Sequence, residues 1–213
     1  MQSYHWILWN VMLAAVPAAC AYVMEAGLKV ARKLHIPAAV VLAPLAPVWL
    51  AFLPNSCYLL TEWRHFLFDR PYTAMRAAAA VEHIKRLDVA VWGLYFVLYA
   101  AIGALCFGLA IRPVARMMGR RRALRALAAV PFFFLVSLGV YLGLIVRLNS
   151  WDLARRPALV LQSAQEALSR PILANAILVF AVLLYLLYMT VDVWIDGLAL
   201  RIGSVHLAGR RSG

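Results

Sequence analysis

Apolar residues run along this chain in long blocks separated by short polar stretches. A helix that crosses a bilayer needs about 20 mostly apolar residues. Five segments meet that length: Ile7 to Met24, Ala38 to Leu60, Val89 to Ile111, Leu127 to Val146 and Ile172 to Trp194. The pattern predicts an all-α fold, a polytopic membrane helix bundle of about five transmembrane helices. The connections 61–88 and 147–171 are long enough for short helices lying on the membrane surface. In the second of these, Pro157 suits a first helical position, with Leu159, Leu161, Ala164 and Leu168 on one apolar face. No repeat or linker divides the chain, so residues 1–213 are expected to form one integral-membrane domain.

Composition agrees with the pattern. Hydrophobic residues make up 65% of the 213 residues and charged residues 14%, against roughly 45–50% and about 25% in soluble domains. Lipid must cover the excess. The net charge of +12 does not require nucleic acid, because cytoplasmic loops of membrane proteins are basic, and no nucleic-acid partner is expected. The three cysteines, Cys20, Cys57 and Cys106, lie in or beside apolar runs and form no disulfide framework. Pro17-Ala18-Ala19-Cys20 faintly resembles a lipoprotein cleavage site, but no Lys or Arg precedes it within the first ten residues. The first span is therefore retained.

Basic residues set the expected orientation. Lys29, Arg32 and Lys33 follow the first span, and Arg112, Arg116, Arg120, Arg121, Arg122 and Arg125 follow the third with no acid among them. Arg201, Arg210 and Arg211 lie in the tail. The other two connections mix their Lys and Arg with Glu62, Asp69, Glu82, Asp88, Asp152 and Glu166. The positive-inside rule then predicts the N-terminus outside and the C-terminus in the cytoplasm. The Arg-rich hairpin is expected to contact anionic lipid headgroups.

Certain polar residues need a reason within so apolar a chain. Pro44 and Pro47 should kink or break the second span, and a broken helix can line a transport cavity. Asn55, Tyr58, Glu62 and His65 fall at helical offsets 0, 3, 7 and 10, one stripe that Asp69 extends. Glu62-x-x-His65 has the spacing of a carboxylate-bridged di-metal pair, but no second such pair exists, so no metal is expected. Gly139 and Gly143 form a small-xxx-small pair that admits a close helix. The fourth span then ends in Arg147, Asn149, Ser150, Trp151 and Asp152. Arg147 can pair with Glu62, Asp88 or Asp152, and Asn149 or Ser150 can cap a following helix. With Asp88 at the head of the third span, these residues are expected to meet in one polar cluster on the extracytoplasmic side. Asp192 and Asp196, four apart, are read as anchors at the other face that pair with Arg201 or the inner loop.

The segments Phe52-Leu53-Pro54-Asn55-x-x-Tyr58-Leu59-x-Thr61-acid-x-x-His65 and Tyr141-Leu142-Gly143-x-x-x-Arg147-x-Asn149-Ser150-Trp151-Asp152 resemble the bacterial membrane family named domain of unknown function 1361. The resemblance covers about residues 38–195. Ser56-Cys57 stands where that family often has Ala-Pro, and Glu62 where it often has Asp. The resemblance implies a polytopic membrane protein and carries no activity with it.

Three functions remain open. The first is an envelope accessory or scaffold protein whose cluster binds a membrane-protein partner, a second copy of the chain or lipid headgroups. The second is an enzyme acting on a lipid or headgroup substrate. There Glu62 or Asp152 serves as general base, His65 as proton shuttle and Arg147 as anion clamp, with Asn55, Tyr58, Asp88, Asn149 and Trp151 lining the substrate. The third is a small-solute transporter built on the second span. No Gly-rich phosphate loop, Cys-x-x-Cys pair or Ser-His-Asp set is present, and the sequence names no cofactor.

Overall fold

The computed structural model describes residues 4–119 and 122–211, with side chains over 7–119 and 126–202. All regular structure in these residues is helical. In chain order the helices are α1 (Tyr4–Lys33), α2 (Ala38–Thr61), α3 (Trp63–Phe68), α4 (Arg70–Val81), α5 (Lys85–Met117), α6 (Arg122–Leu144), α7 (Asp152–Arg155), α8 (Pro157–Ser169) and α9 (Pro171–Arg211). Five of them, α1, α2 continued by α3, α5, α6 and α9, contain stretches long and apolar enough to cross a membrane. The large side chains facing outward are Leu, Val, Ile, Met and aromatics along all five, as expected when the solvent is lipid rather than water.

α2 is the central element, with α1, α5 and α6 packed around it, while α9 closes the far side against α5 and α6. The main core joins Met24, Trp49, Leu53, Cys57, Phe107, Phe133, Val136 and Leu184, contributed by all five long helices. Lipid supplies no hydrophobic driving force between helices, so close van der Waals fit and hydrogen bonds must hold them together. Both are present. Trp49 donates its indole N–H to the Ala110 carbonyl at 2.9 Å and stacks on Phe132. Ser137 donates to the Ile177 carbonyl at 2.7 Å and ties α6 to α9. Gly139 and Gly143 let α2 approach α6. A methyl group on Gly139 would lie 2.7 Å from Pro54 Cγ, and one on Gly143 would collide with the Tyr58 ring.

The second span is not broken. Pro44, Pro47 and Pro54 lie inside one continuous helix. Pro44 and Pro47 are exposed on the outer side of α2, and a backbone facing lipid gains nothing by unwinding, since lipid offers no alternative hydrogen-bond partner. Helices α5 and α9 also outrun their apolar cores, to Met117 and Arg211. Arg112 and Arg116 therefore belong to helix α5 rather than to a loop. Arg120 and Arg121 of the expected Arg-rich hairpin lie outside the described residues, as do the side chains of Arg122, Arg125, Arg210 and Arg211.

The surface connections are helical, as the sequence suggests. α3 and α4 form a hairpin over the start of α5. Its interior is aromatic: Phe66, Tyr72, Trp92 and Phe96 lie ring to ring with centroids 5.3–5.8 Å apart. Arg76 binds the Phe66 and Leu67 carbonyls at the end of α3 and lies over the Phe66 ring, which satisfies carbonyls that a helix end leaves free. α8 packs through Ala167 against Leu138, Leu142 and Ile177 of α6 and α9.

Candidate functional site

The long helices alternate in direction, so one end of the bundle gathers the start of α1, the end of α2, the start of α5, the end of α6 and the start of α9. At that end is a hollow of about 300 Å³. α1 contributes Asn10 and Leu13, and α2 contributes Asn55, Tyr58 and Leu59. Glu62, Arg64 and His65 follow from the α2–α3 junction, and Gly143, Leu144 and Arg147 close the far wall at the end of α6.

The stripe of Asn55, Tyr58, Glu62 and His65 stays on one face because α2 runs straight into α3 with Glu62 still in helical conformation (φ −61°, ψ −19°). Asn55 is buried and donates its amide to Ser150 Oγ at 3.3 Å, joining α2 to the segment after α6. Tyr58 donates to the Gly139 carbonyl at 3.4 Å. His65 sits between two carboxylates: Nδ1 lies 2.8 Å from Asp69 Oδ2, and Nε2 lies 3.6 Å from Glu62 Oε2. The Asp69 contact fits a proton on Nδ1, a tautomer assigned from the hydrogen-bond geometry, and leaves Nε2 directed at Glu62.

Arg147 has positive φ, +63°. Helix α6 ends just before it, and the Leu148 N–H reaches back to the Leu142 carbonyl at 3.1 Å. For a residue with a Cβ this left-handed conformation costs roughly 1–2 kcal/mol, which is why glycine usually fills such positions. Among the described residues neither Arg147 nor Arg64 makes an ion pair with an acid.

The remaining predicted residues are placed elsewhere at the same end. The Asp152 side chain is buried, but it serves its own loop. It accepts the Asn149 N–H at 2.7 Å and holds Arg156 through Nη2 at 2.8 Å. Those donors keep its carboxyl below the usual carboxylate range, the Asn149 N–H most of all. Asn149 thus donates its backbone to Asp152 rather than capping α7 with its side chain, and Trp151, which precedes α7, gives no side-chain cap. Trp151 is 41% exposed. Asp88 does not reach the hollow: it is more than half exposed and lies 3.8 Å from Lys85 one turn away. Arg147 therefore pairs with none of Glu62, Asp88 or Asp152. Cys57, beneath the stripe, is wholly buried. Among the described residues no three His, Cys, Asp or Glu side chains are arranged to hold a metal ion.

Asn10, Leu13 and Arg64 are lining residues that the motifs did not mark. The signal for Asn10 was available, an amide one turn inside an apolar span, but nothing in the sequence says which helix it faces. The family comparison matches the two motifs that build most of this wall. A family model described as a protein of unknown function (DUF1361) matches residues 9–190. The chain belongs to that family. Both the stripe on α2 and the turn carrying Arg147 fall within the matched region, as does Asn10. No curated protein and no solved structure matches the chain.

At the opposite end Arg112 and Arg116 are paired across helices, while Arg32 and Lys33 make no ion pair among the described residues. Glu25 of α1 takes Arg116 of α5 at 2.7 Å and Lys29 at 3.2 Å. Arg112 bridges to Asp192 at 3.6 Å and to Asp196, both on α9. The two aspartates thus anchor α9, with Arg112 as a partner.

Proposed function

We propose that the protein is an accessory or scaffold protein of the bacterial cytoplasmic membrane, and that its rim hollow faces the extracytoplasmic side and holds the polar head of a membrane component. One observation carries this reading. Arg147 reaches a hollow shared with Glu62, Arg64 and His65, and among the described residues it makes no ion pair with an acid. Arginines near helix ends reach out to the membrane interface, where anionic headgroups lie. An exposed guanidinium beside a cavity, with no acid of the protein on it, favours an anionic ligand. The orientation is supported by Lys29, Arg32, Lys33, Arg112 and Arg116 at the opposite end, next to the Arg-rich hairpin, which in this reading meets anionic lipid on the cytoplasmic face.

Two measurements test it. Membrane-impermeant maleimide applied to intact cells should label Glu166→Cys and not Lys33→Cys, and the reverse pattern overturns the orientation. Total membrane extract added to the purified protein in detergent should raise its melting temperature, and Arg147→Gln should remove the rise. No shift in the wild type overturns the binding reading.

A second reading, a membrane enzyme, draws support from the Asp69–His65–Glu62 chain. An imidazole held by one carboxylate and directed toward a second is suited to moving a proton. The Ser56 hydroxyl donates to the Leu53 carbonyl at 2.8 Å and Cys57 is sealed in the core, so water would be the attacking group. Glu62→Gln should then keep the ligand but stop its conversion. Identical lipid profiles in cells overproducing the wild type and Glu62→Gln sink this reading.

A further inference from the structure

We infer that the ligand of the rim hollow is an amphiphile with a compact phosphate-bearing head that enters sideways from the bilayer. The inference rests on the binding reading above and names its ligand class.

The head follows from the donors. A guanidinium presents a planar fork of N–H groups that matches phosphate oxygens two at a time. Arg147 is held at the hollow by a left-handed backbone that glycine would adopt at lower cost. The same left-handed turn closes α1 at His35, and at the end of α6 it sets the direction in which the Arg147 side chain leaves the helix. Asn10 and Glu62 line the same hollow from α1 and the α2–α3 junction. They offer an amide and a carboxylate acceptor to hydroxyls beside the phosphate, as in a glycerol-phosphate or sugar-phosphate head. A quaternary ammonium head has no such hydroxyl.

The tail follows from the flanks. Leu13 and Leu144 line the hollow itself. Outside them Leu8, Trp9 and Met12 on α1 are 54–63% exposed, and Ile145 after α6 is 60% exposed. The wall is therefore polar inward and apolar outward at one depth. α1 packs on α2 and α5, whereas α6 packs on α2 and α9, so the two flanks stand on either side of α2. A lipid whose head lies on Arg147 can lay its acyl chains along these outward faces without leaving the leaflet. A free phosphate compound shares the head chemistry but gains nothing from the flanks.

Binding of defined probes to the purified full-length protein in detergent separates these cases. The probes are phosphatidylglycerol, phosphatidylcholine and free glycerol 3-phosphate, read by native mass spectrometry and by thermal shift. Phosphatidylglycerol should bind and stabilise, and both other probes should bind at least tenfold more weakly. Arg147→Gln should weaken phosphatidylglycerol by about tenfold or more, the usual worth of one charge-assisted contact. Arg155→Gln, an exposed neighbour outside the hollow, should leave it unchanged. Arg147→Gly, which fits the turn, keeps the test valid if the Gln variant misfolds. Three results overturn the inference: equal binding of the two lipids, equal loss in the Arg147 and Arg155 variants, or glycerol 3-phosphate binding as tightly as the lipid. If total membrane extract stabilises the wild type while phosphatidylglycerol does not, the binding reading stands and this inference falls.

Discussion

The two ends of the bundle use charge in opposite ways. At the end carrying Glu25, Arg112, Arg116, Asp192 and Asp196, cations on α5 meet acids on α1 and α9. The charges clamp three helices together. At the other end Arg147 makes no ion pair among the described residues, while the acids near it are engaged: Glu62 faces His65 and Arg64, Asp69 faces His65, and Asp152 holds Arg156. The comparison teaches that a residue's charge does not assign its task in a membrane bundle. What assigns it is whether the protein supplies the countercharge or leaves it to come from outside.

Substitutions can sharpen this contrast, and the largest effect should come from the wall Arg147 depends on. Gly143→Val drives a branched side chain into the Tyr58 ring and should cost about 3 kcal/mol or prevent folding, read as a lower melting temperature and reduced yield of monodisperse protein. Gly139→Ala, facing only the Pro54 ring edge, should cost less. If Gly143→Val melts like the wild type, α2 and α6 do not meet at this wall.

The buried carboxylate of Asp152 comes next. Its pKa is depressed in the folded state, so the stability it contributes is complete above the unfolded carboxylate value of about 3.9. That contribution disappears as pH falls through the lower folded value. Asp152→Asn should be less stable than the wild type at neutral pH, and the gap should close as the pH is taken below 4. A gap that is constant in acid contradicts the Asn149 and Arg156 contacts as its source.

Arg112→Ala and Arg147→Ala compare the ends directly. Losing Arg112 leaves Asp192 and Asp196 unneutralised. Because Asp196 is more than half exposed, the cost should be only about 1 kcal/mol. Losing Arg147 breaks no ion pair and should leave the melting temperature of the ligand-free protein unchanged. Equal losses at both ends erase the distinction. The smallest effect should be a gain: Arg147→Gly relieves the left-handed backbone and should stabilise the ligand-free protein by up to about 1 kcal/mol. A loss of stability in that variant means that the Arg147 side chain holds the fold rather than a ligand.

Much of the site could be read before any coordinates. The helical offsets of Asn55, Tyr58, Glu62 and His65 predicted a single stripe, and the stripe lines the hollow. The Gly139–Gly143 pair marked a close helix, and α2 occupies it. Asp88 and Asp152 were harder, because spacing along a chain places a residue at the right depth but not at the right angle about the bundle axis. Asp88 is at the correct end yet turns toward Lys85. Asp152 is adjacent to the hollow, but its carboxylate is taken by a backbone N–H three residues away, a local contact that depends on the exact turn. The prolines of α2 left two outcomes open, a kink or a break, and the helix runs on through all three. Lipid offers an unwound backbone no other hydrogen-bond partner, so the chain keeps its remaining helical bonds.

By itself the sequence determined that this chain makes helices for lipid, how many are long enough to cross, and which faces of two of them carry polar groups. Those outcomes depend on transfer of side chains out of water and on the 3.6-residue period, both local properties. Only the tertiary structure decided which charges are answered and which are not. That depends on the rotation and separation of helices far apart in sequence, where a few ångströms separate the closed pair of Glu25 and Arg116 from the open guanidinium of Arg147.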